Sequence, residues 1–271
     1  MKVVLFCGGQ GMRMREFSET LPKPMVPIGS RPIIWHLMKY YAEFGHKEFI
    51  LCLGYKGEVI QDYFMNHDEG IDNNLVVKDG STKLELLNRE IGDWKITFAD
   101  TGLTASIGQR LRAVREHVEG EEMFLANYAD GLTDAKLPAL VDDFRGRPES
   151  VVSFLCVRPS QTFHVVTLND GAQVADITAA SETDLWVNGG FFVMRPSIFD
   201  YLGPGEDLVE EPFRRLITEG RLNAYPYEGF WAGMDTFKDR QILDSLYTGG
   251  DARWEVWKHE MPLAAVQDDP D

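Results

Sequence analysis

The first apolar run of the chain does not alternate. "KVVLFC" (2–7) is apolar at successive positions, as a strand covered on both faces of a parallel sheet must be. "PIIWHLMKYYAEFG" (32–45) changes to helical spacing, with Pro32 near its first turn and Gly45 just past its end. "EFILCLGY" (48–55) reads as the next strand and "GEVIQDYFMNH" (57–67) as the next helix. Strand, helix, strand, helix at this spacing predicts βαβ units and a parallel sheet.

The pattern weakens over 68–94, where Asn, Asp and Gly separate short alternating runs, and this predicts an excursion containing a hairpin. Strand character returns at "KITFADTG" (95–102), followed by an amphipathic helix at "SIGQRLRAVREHV" (106–118) and a buried strand at "EMFLANYADG" (122–131). "KLPALVDDFRGR" (136–147) is helical and "SVVSFLCVR" (150–158) is a strand. "FHVVTLNDGAQVADIT" (163–178) alternates around Asn-Asp-Gly, a hairpin signal. A strand and short helix are expected over 185–202, a helix over 210–220, a strand and loop over 222–235, and a last helix over 236–250. The expected fold is one α/β domain over 1–258, mostly parallel, flanked by helices and carrying small β-hairpin insertions. The acidic segment 259–271 is expected to fray.

Charge narrows the partners. The 271 residues carry a formal charge of −16, which argues against nucleic acid or an anionic membrane as the main partner. A nucleotide needs only a local cation cluster and is not excluded. No apolar run approaches the ~20 residues of a membrane span. The start of the chain lacks the pattern of a signal peptide. The three cysteines, Cys7, Cys52 and Cys156, show no CxxC spacing and read as buried free thiols of a reducing, cytoplasmic compartment. The six histidines show no metal-ligand spacing; His36 reads as a satisfied helix residue.

Three segments carry candidate chemistry. "LFCGGQGMRMREFSETLPKPM" (5–25) is a strand running into a glycine-rich turn with cations after it: Arg13, Arg15 and Lys23. It is either a phosphate cradle or a tight turn with solvated arginines. It is not a dinucleotide fingerprint, since Met14 stands where the third glycine would be, and it lacks the GK[ST] of a P-loop. Asp130 and Asp235 each close a predicted strand. Carboxylates there are either ordinary loop residues or ligands that hold Mg²⁺ against phosphates. In "VNGGFF" (187–192), the glycines mark a β-bulge or room for a sugar, with Asn188 as donor and acceptor.

Taken in order, these segments resemble the sugar-1-phosphate nucleotidyltransferases. "GGQGMRMREFSETLPKPMVPIG" is similar to that family's loop GGxGTRLxxxT…PKPM, "YADG" to its metal-binding segment and "NGGFF" to its sugar-contacting segment. The cytidylyltransferase branch acting on glucose-1-phosphate is resembled by "PIIWHLMKYYAEFGHKEFILCLGYKG", "DTG", "GQRL", "EEP", "GFWAGMDT" and "ARWEVW". The resemblance covers nearly the whole chain. It implies a Rossmann-like mixed sheet, Mg²⁺ as cofactor and a homo-oligomer. The implied reaction transfers a nucleotidyl group, CMP from CTP, to a sugar-1-phosphate. Arg13 and Lys23 would be catalytic, and Asp130 and Asp235 would hold the metal. Gly8, Gly9, Gly11, Met12, Gly108 and Arg110 would lie against the nucleotide, and Asn188, Gly189 and Trp231 against the sugar.

The chain departs from that pattern twice. Met12 stands where the family loop has Thr, so a hydroxyl able to bond a phosphate oxygen is replaced by a thioether. The family also carries Glu-Lys-Pro before the NGG segment, its Lys on the acceptor phosphate. Here no Lys or Arg occurs between Arg158 and Arg195. Three outcomes are consistent with this: another side chain replaces that lysine, the acceptor differs, or the chain is a binding or regulatory relative with impaired catalysis.

Overall fold

The computed structural model describes residues 1–9, 21–66, 75–77, 84–86, 91–159 and 163–258. The predicted tail at 259–271 lies outside the described residues. Four strands form the parallel half of the central sheet: β1 (Lys2–Phe6), then after the pair β2 (Pro27–Ile28) and β3 (Arg31–Pro32), β4 (Glu48–Leu53), and further on β7 (Lys95–Asp100) and β8 (Phe124–Tyr128). β1 lies between β4 and β8, and β7 pairs outside β4, all in parallel. The crossovers are α1 (Ile33–Glu43), α2 (Gly57–Met65), α3 (Ile107–Ala113) and α4 (Arg115–Val118).

The excursion predicted over 68–94 contains β5 (Leu75–Val77) and β6 (Leu84–Leu86), paired antiparallel. After β9 (Gly131–Thr133) and α5 (Leu137–Arg145), the second half is antiparallel in part. β10 (Val152–Val157) is followed by the hairpin of β11 (His164–Leu168) and β12 (Val174–Ala179), centred as expected on Asn-Asp-Gly. β13 (Val187–Asn188) and β14 (Phe192–Met194) both run antiparallel to β10. β14 also joins β8, closing one eight-stranded sheet, while β15 (Leu222–Tyr227) adds to β10 in parallel. The remaining elements are α6 (Glu211–Thr218), β16 (Trp231–Gly233) and α7 (Phe237–Thr248).

Two predicted elements are divided. The helix expected over 106–118 breaks at Val114, whose N–H turns to the Leu111 carbonyl and ends α3 before α4 begins. The strand expected from 185 is split into β13 and β14 by the glycines of the NGG segment, and the helix after it is a 3-10 turn over Pro196–Asp200.

β1 shows why its sequence does not alternate. Val3, Leu5 and Cys7 enter a core layer shared with α1 and α5, whereas Val4 and Phe6 enter the opposite layer with Leu111, Val118, Phe213 and Leu216. With helices on both faces, every position of the strand is covered. Cys7 and Cys52 are buried free thiols as expected, but Cys156, near the sheet margin, is only half-buried. His36 is fully buried on α1; its Nε2 bonds the Ile28 carbonyl at 3.1 Å and its Nδ1 accepts from Trp254 Nε1 at 3.2 Å.

Candidate active site

The carboxyl ends of β1, β4, β7, β8, β10 and β15 fall on one edge of the sheet, because those strands are linked in parallel or through two antiparallel steps. That edge is where open α/β sheets hold ligands. A cleft of about 310 Å³ opens there, lined by Phe6, Cys7, Gly9, Lys23, Ile107, Tyr128, Asp130 and Asp235 among others.

Lys23 is placed by a 3-10 turn over Lys23–Met25 that follows Pro22. Pro24 and Met25 are buried, so this short turn is anchored while the lysine side chain projects away from the core. Asp130 lies two residues past the end of β8. Asp235 is brought to it by the antiparallel pairing of β9 with β16, in which Gly131 opposes Gly233, and by the Met234 N–H donating to the Asp130 carbonyl at 2.9 Å. Lys23 Nζ then donates to Asp130 Oδ2 at 2.5 Å and to Asp235 Oδ1 at 2.8 Å. Burial alone would lower the Lys23 pKa, but the two carboxylates outweigh it and the net shift is upward, so the ammonium stays charged. Asp235 is steadied from behind: Asp239 accepts from its N–H at 3.1 Å while forming a capping box with Thr236 at the start of α7.

Gly8 permits a close approach. A Cβ at this position would stand 2.0 Å from Arg110 Nη1. The Arg110 guanidinium, 2% exposed, donates to the carbonyls of Gly8 (3.0 Å), Leu53 (3.0 Å) and Gly102 (2.9 Å) and to Thr101 Oγ1 (2.6 Å). It ties together the ends of β1, β4 and β7 through backbone oxygens. Gly108, two residues earlier on α3, packs on the 206–208 backbone; a Cβ there would lie 2.4 Å from the Glu206 carbonyl.

Asn188, Gly189 and Trp231 form a second group beside the cleft. Trp231 Nε1 donates to the Gly189 carbonyl at 2.9 Å, and Asn188 Nδ2 reaches the Tyr128 hydroxyl at 3.4 Å. The NGG segment is a bulge. Gly190 has φ +77°, and Asn127 Oδ1 accepts from the Phe191 N–H at 2.9 Å across it. Of the expected site residues, Gly9, Lys23, Asp130 and Asp235 therefore share one cleft, with Asn188, Gly189 and Trp231 adjoining it. Arg110 and Gly108 do not line it: Arg110 is buried against backbone carbonyls at the strand ends, and Gly108 packs on the 206–208 backbone. Gly11, Met12 and Arg13 lie outside the described residues.

The sequence reading missed Tyr128 and Cys7. Both lie inside segments that it quoted, Cys7 in 5–25 and Tyr128 at the head of "YADG", and their signal was a place at or just past the end of a strand. Burial, the largest cause, raises the Tyr128 pKa to about 12, so it is a neutral hydroxyl donor. Burial also pushes the Cys7 thiol well up, leaving it a cleft wall rather than a nucleophile.

The nucleotidyl transferase family model matches residues 2–241. The chain belongs to that family. Within it, the chain is 35% identical over 260 residues to the glucose-1-phosphate cytidylyltransferase of Salmonella typhimurium, covering 95% of this chain and 100% of that one. Two solved structures share the fold of this family member. A UDP-glucose pyrophosphorylase complexed with UDP-glucose superposes with a TM-score of 0.66 at 15% identity, covering 92% of this chain and 98% of that one. HddC from Yersinia pseudotuberculosis gives 0.64 at 18% identity, covering 91% and 99%. The Rossmann-like mixed sheet with small hairpins is thus the family fold.

Proposed function

We propose that the protein transfers CMP from CTP to glucose-1-phosphate. A phosphate oxygen of the acceptor bonds to the α-phosphorus of the nucleotide. The α–β bridging P–O bond breaks, and pyrophosphate leaves with the electron pair. The observation that carries this reading is the convergence of Lys23, Asp130 and Asp235 at the carboxyl edge of the sheet. The choice of base and sugar is supported by the Salmonella relative, a glucose-1-phosphate cytidylyltransferase by name.

The geometry suits phosphoryl chemistry, which needs positioning and charge neutralisation and little covalent work by the protein. Lys23 is a fixed, permanently charged donor beside the cleft. Among the described residues nothing stands within 4 Å of a Cβ at Gly9, which suits the approach of a phosphate to the backbone. Asp130 and Asp235 supply two hard carboxylate oxygens facing the same point, a donor set that fits Mg²⁺ once phosphate oxygens complete it. When bound, the ion would offset charge on the phosphates. Arg13 is proposed as the second cation of the loop. A homo-oligomer in the cytoplasm is the proposed working form.

The test is pyrophosphate release from CTP and glucose-1-phosphate with Mg²⁺, followed by a panel of other nucleoside triphosphates and sugar phosphates. Silence across the whole panel would overturn the reading. One observation favours a second reading, a binding or regulatory relative without chemistry: the absence of any Lys or Arg from 159 to 194. Saturable nucleotide binding without turnover would support it.

A further inference from the structure

An acceptor phosphate is a second anion brought next to a triphosphate. Lys23 is already engaged by two carboxylates at 2.5 and 2.8 Å, so the acceptor needs a different cation. The segment that carries the sugar-side residues contains none from 159 to 194. The residue just before that stretch is Arg158, which follows β10 on the carboxyl edge of the sheet.

The register places it. Cys156 opposes Asn188 and Val157 opposes Val187, so the next step sets Arg158 beside Trp186. Its guanidinium carbon lies 4.0 Å from the Trp186 ring centroid, and Nη1 donates to the Thr183 carbonyl at 3.1 Å and the Leu185 carbonyl at 3.5 Å. Alternation puts Arg158, Cys156, Trp186 and Asn188 on one face of β10 and β13. Asn188 is in turn bonded to Tyr128, which lines the cleft. Arg158 therefore lies two residues along the same face from the Cys156–Asn188 pair, and Asn188 contacts Tyr128 of the cleft wall. The guanidinium is oriented by an aromatic face and two carbonyls, neither of which neutralises it. Its carboxylate neighbours, Glu228 at 3.9 Å and Asp184 at 4.0 Å, are at the limit of ion pairing, and its side chain is 31% exposed.

We propose that Arg158 binds the phosphate of the sugar-1-phosphate acceptor, taking the place of a lysine that the 159–194 segment does not supply. The inference rests on the reading that a sugar-1-phosphate is the acceptor. The guanidinium fork contacts two phosphate oxygens, where a lysine would offer a point charge.

The experiment is calorimetric titration of the full chain and of Arg158→Gln and Arg158→Lys with glucose-1-phosphate, with CTP as the folding control. The expected result is that Arg158→Gln weakens glucose-1-phosphate binding by about tenfold or more and leaves CTP binding unchanged, with Arg158→Lys in between. Where turnover is measured, the KM for the sugar phosphate rises and the KM for CTP does not. Equal glucose-1-phosphate affinity in wild type and Arg158→Gln overturns the proposal, as does a wild type that does not bind the sugar phosphate. A silent pyrophosphate panel combined with Arg158-dependent binding would overturn the transferase reading and sustain this one.

Discussion

Lys23 donates to Asp130 at 2.5 Å although 107 residues separate them in the chain. Neither residue is positioned by its neighbours alone. The lysine comes from a short turn after β1, and the aspartate from the end of β8, which pairs with β1 in parallel. The pair joins the proposed phosphate loop to the proposed metal ligands, so a change in either should be read in catalysis before it is read in folding.

Asp130→Asn removes one of two carboxylates that face the cleft. Turnover is expected to fall on the order of 100-fold or more, from the loss of transition-state charge stabilisation. The side chain is 31% exposed, so unfolding free energy should move by no more than about 1 kcal/mol. Denaturant titration beside the pyrophosphate assay checks both halves, and full activity in the variant would remove Asp130 from the site.

Arg110→Met removes one donor each from the carbonyls of Gly8, Leu53 and Gly102, although Leu53 keeps the Thr101 N–H and hydroxyl and Gly8 keeps a long bond from the Tyr55 N–H. The expected cost is on the order of 3 kcal/mol, visible as a lower denaturation midpoint. Because Gly8 loses its brace, the KM for the nucleotide should also rise. An unchanged midpoint would show that the strand ends are held by other means.

Gly190→Ala tests the bulge. The position has φ +77°, and a Cβ there would stand 2.3 Å from Asn127 Oδ1. Destabilisation on the order of 2 kcal/mol is expected. Asn188 and Gly189 adjoin the bulge, so the KM for the sugar phosphate should rise in the same variant. A thermal melt matching wild type would count against strain at this turn.

His36 predicts an acid limb in stability. Burial is the main cause that lowers its pKa to about 4, with Lys258 and Arg31 adding to it against the bond to the Ile28 carbonyl. The native state keeps the ring neutral while the unfolded chain binds a proton near pH 6.5. The unfolded state thus binds more protons between those values, and stability falls as pH drops from about 6.5 to about 4. The contribution is on the order of 3 kcal/mol across that window. Urea midpoints measured through it should show the slope, and His36→Gln should reduce it, His46, lowered to about 4 mainly by burial, keeping the remainder; an equal slope in the variant would assign the limb elsewhere.

Met12→Thr restores a hydroxyl at the loop position where the family has one. A hydrogen bond to a charged group is worth about 1.5–3 kcal/mol, so the KM for the nucleotide should fall about tenfold or more. An unchanged or higher KM would mean that the backbone already satisfies the phosphates.

The sequence by itself determined the order of elements, because period-2 and period-3.6 patterns suit different elements, and short apolar runs bounded by glycine and rich in β-branched residues suit buried strands. It placed β1, α1, β4 and the Asn-Asp-Gly hairpin, and it marked Lys23, Asp130, Asp235 and the NGG segment as the chemistry-bearing residues. It also exposed the missing lysine, since an absent residue type needs no coordinates to be seen. Only the tertiary structure decided which of these meet. Asp130 and Asp235 converge through the β9–β16 register, a non-local pairing that leaves no trace in either segment. Arg110, a helix residue by pattern, turns its guanidinium onto three strand ends because β1, β4 and β7 lie side by side beneath it. Arg158 reads in the sequence as the last residue of a strand. The β10–β13 pairing sets it beside Trp186, on the same face as Asn188, which contacts Tyr128 of the cleft wall. Local periodicity is written along the chain, whereas the contacts that build a site depend on register between distant strands, which periodicity does not specify.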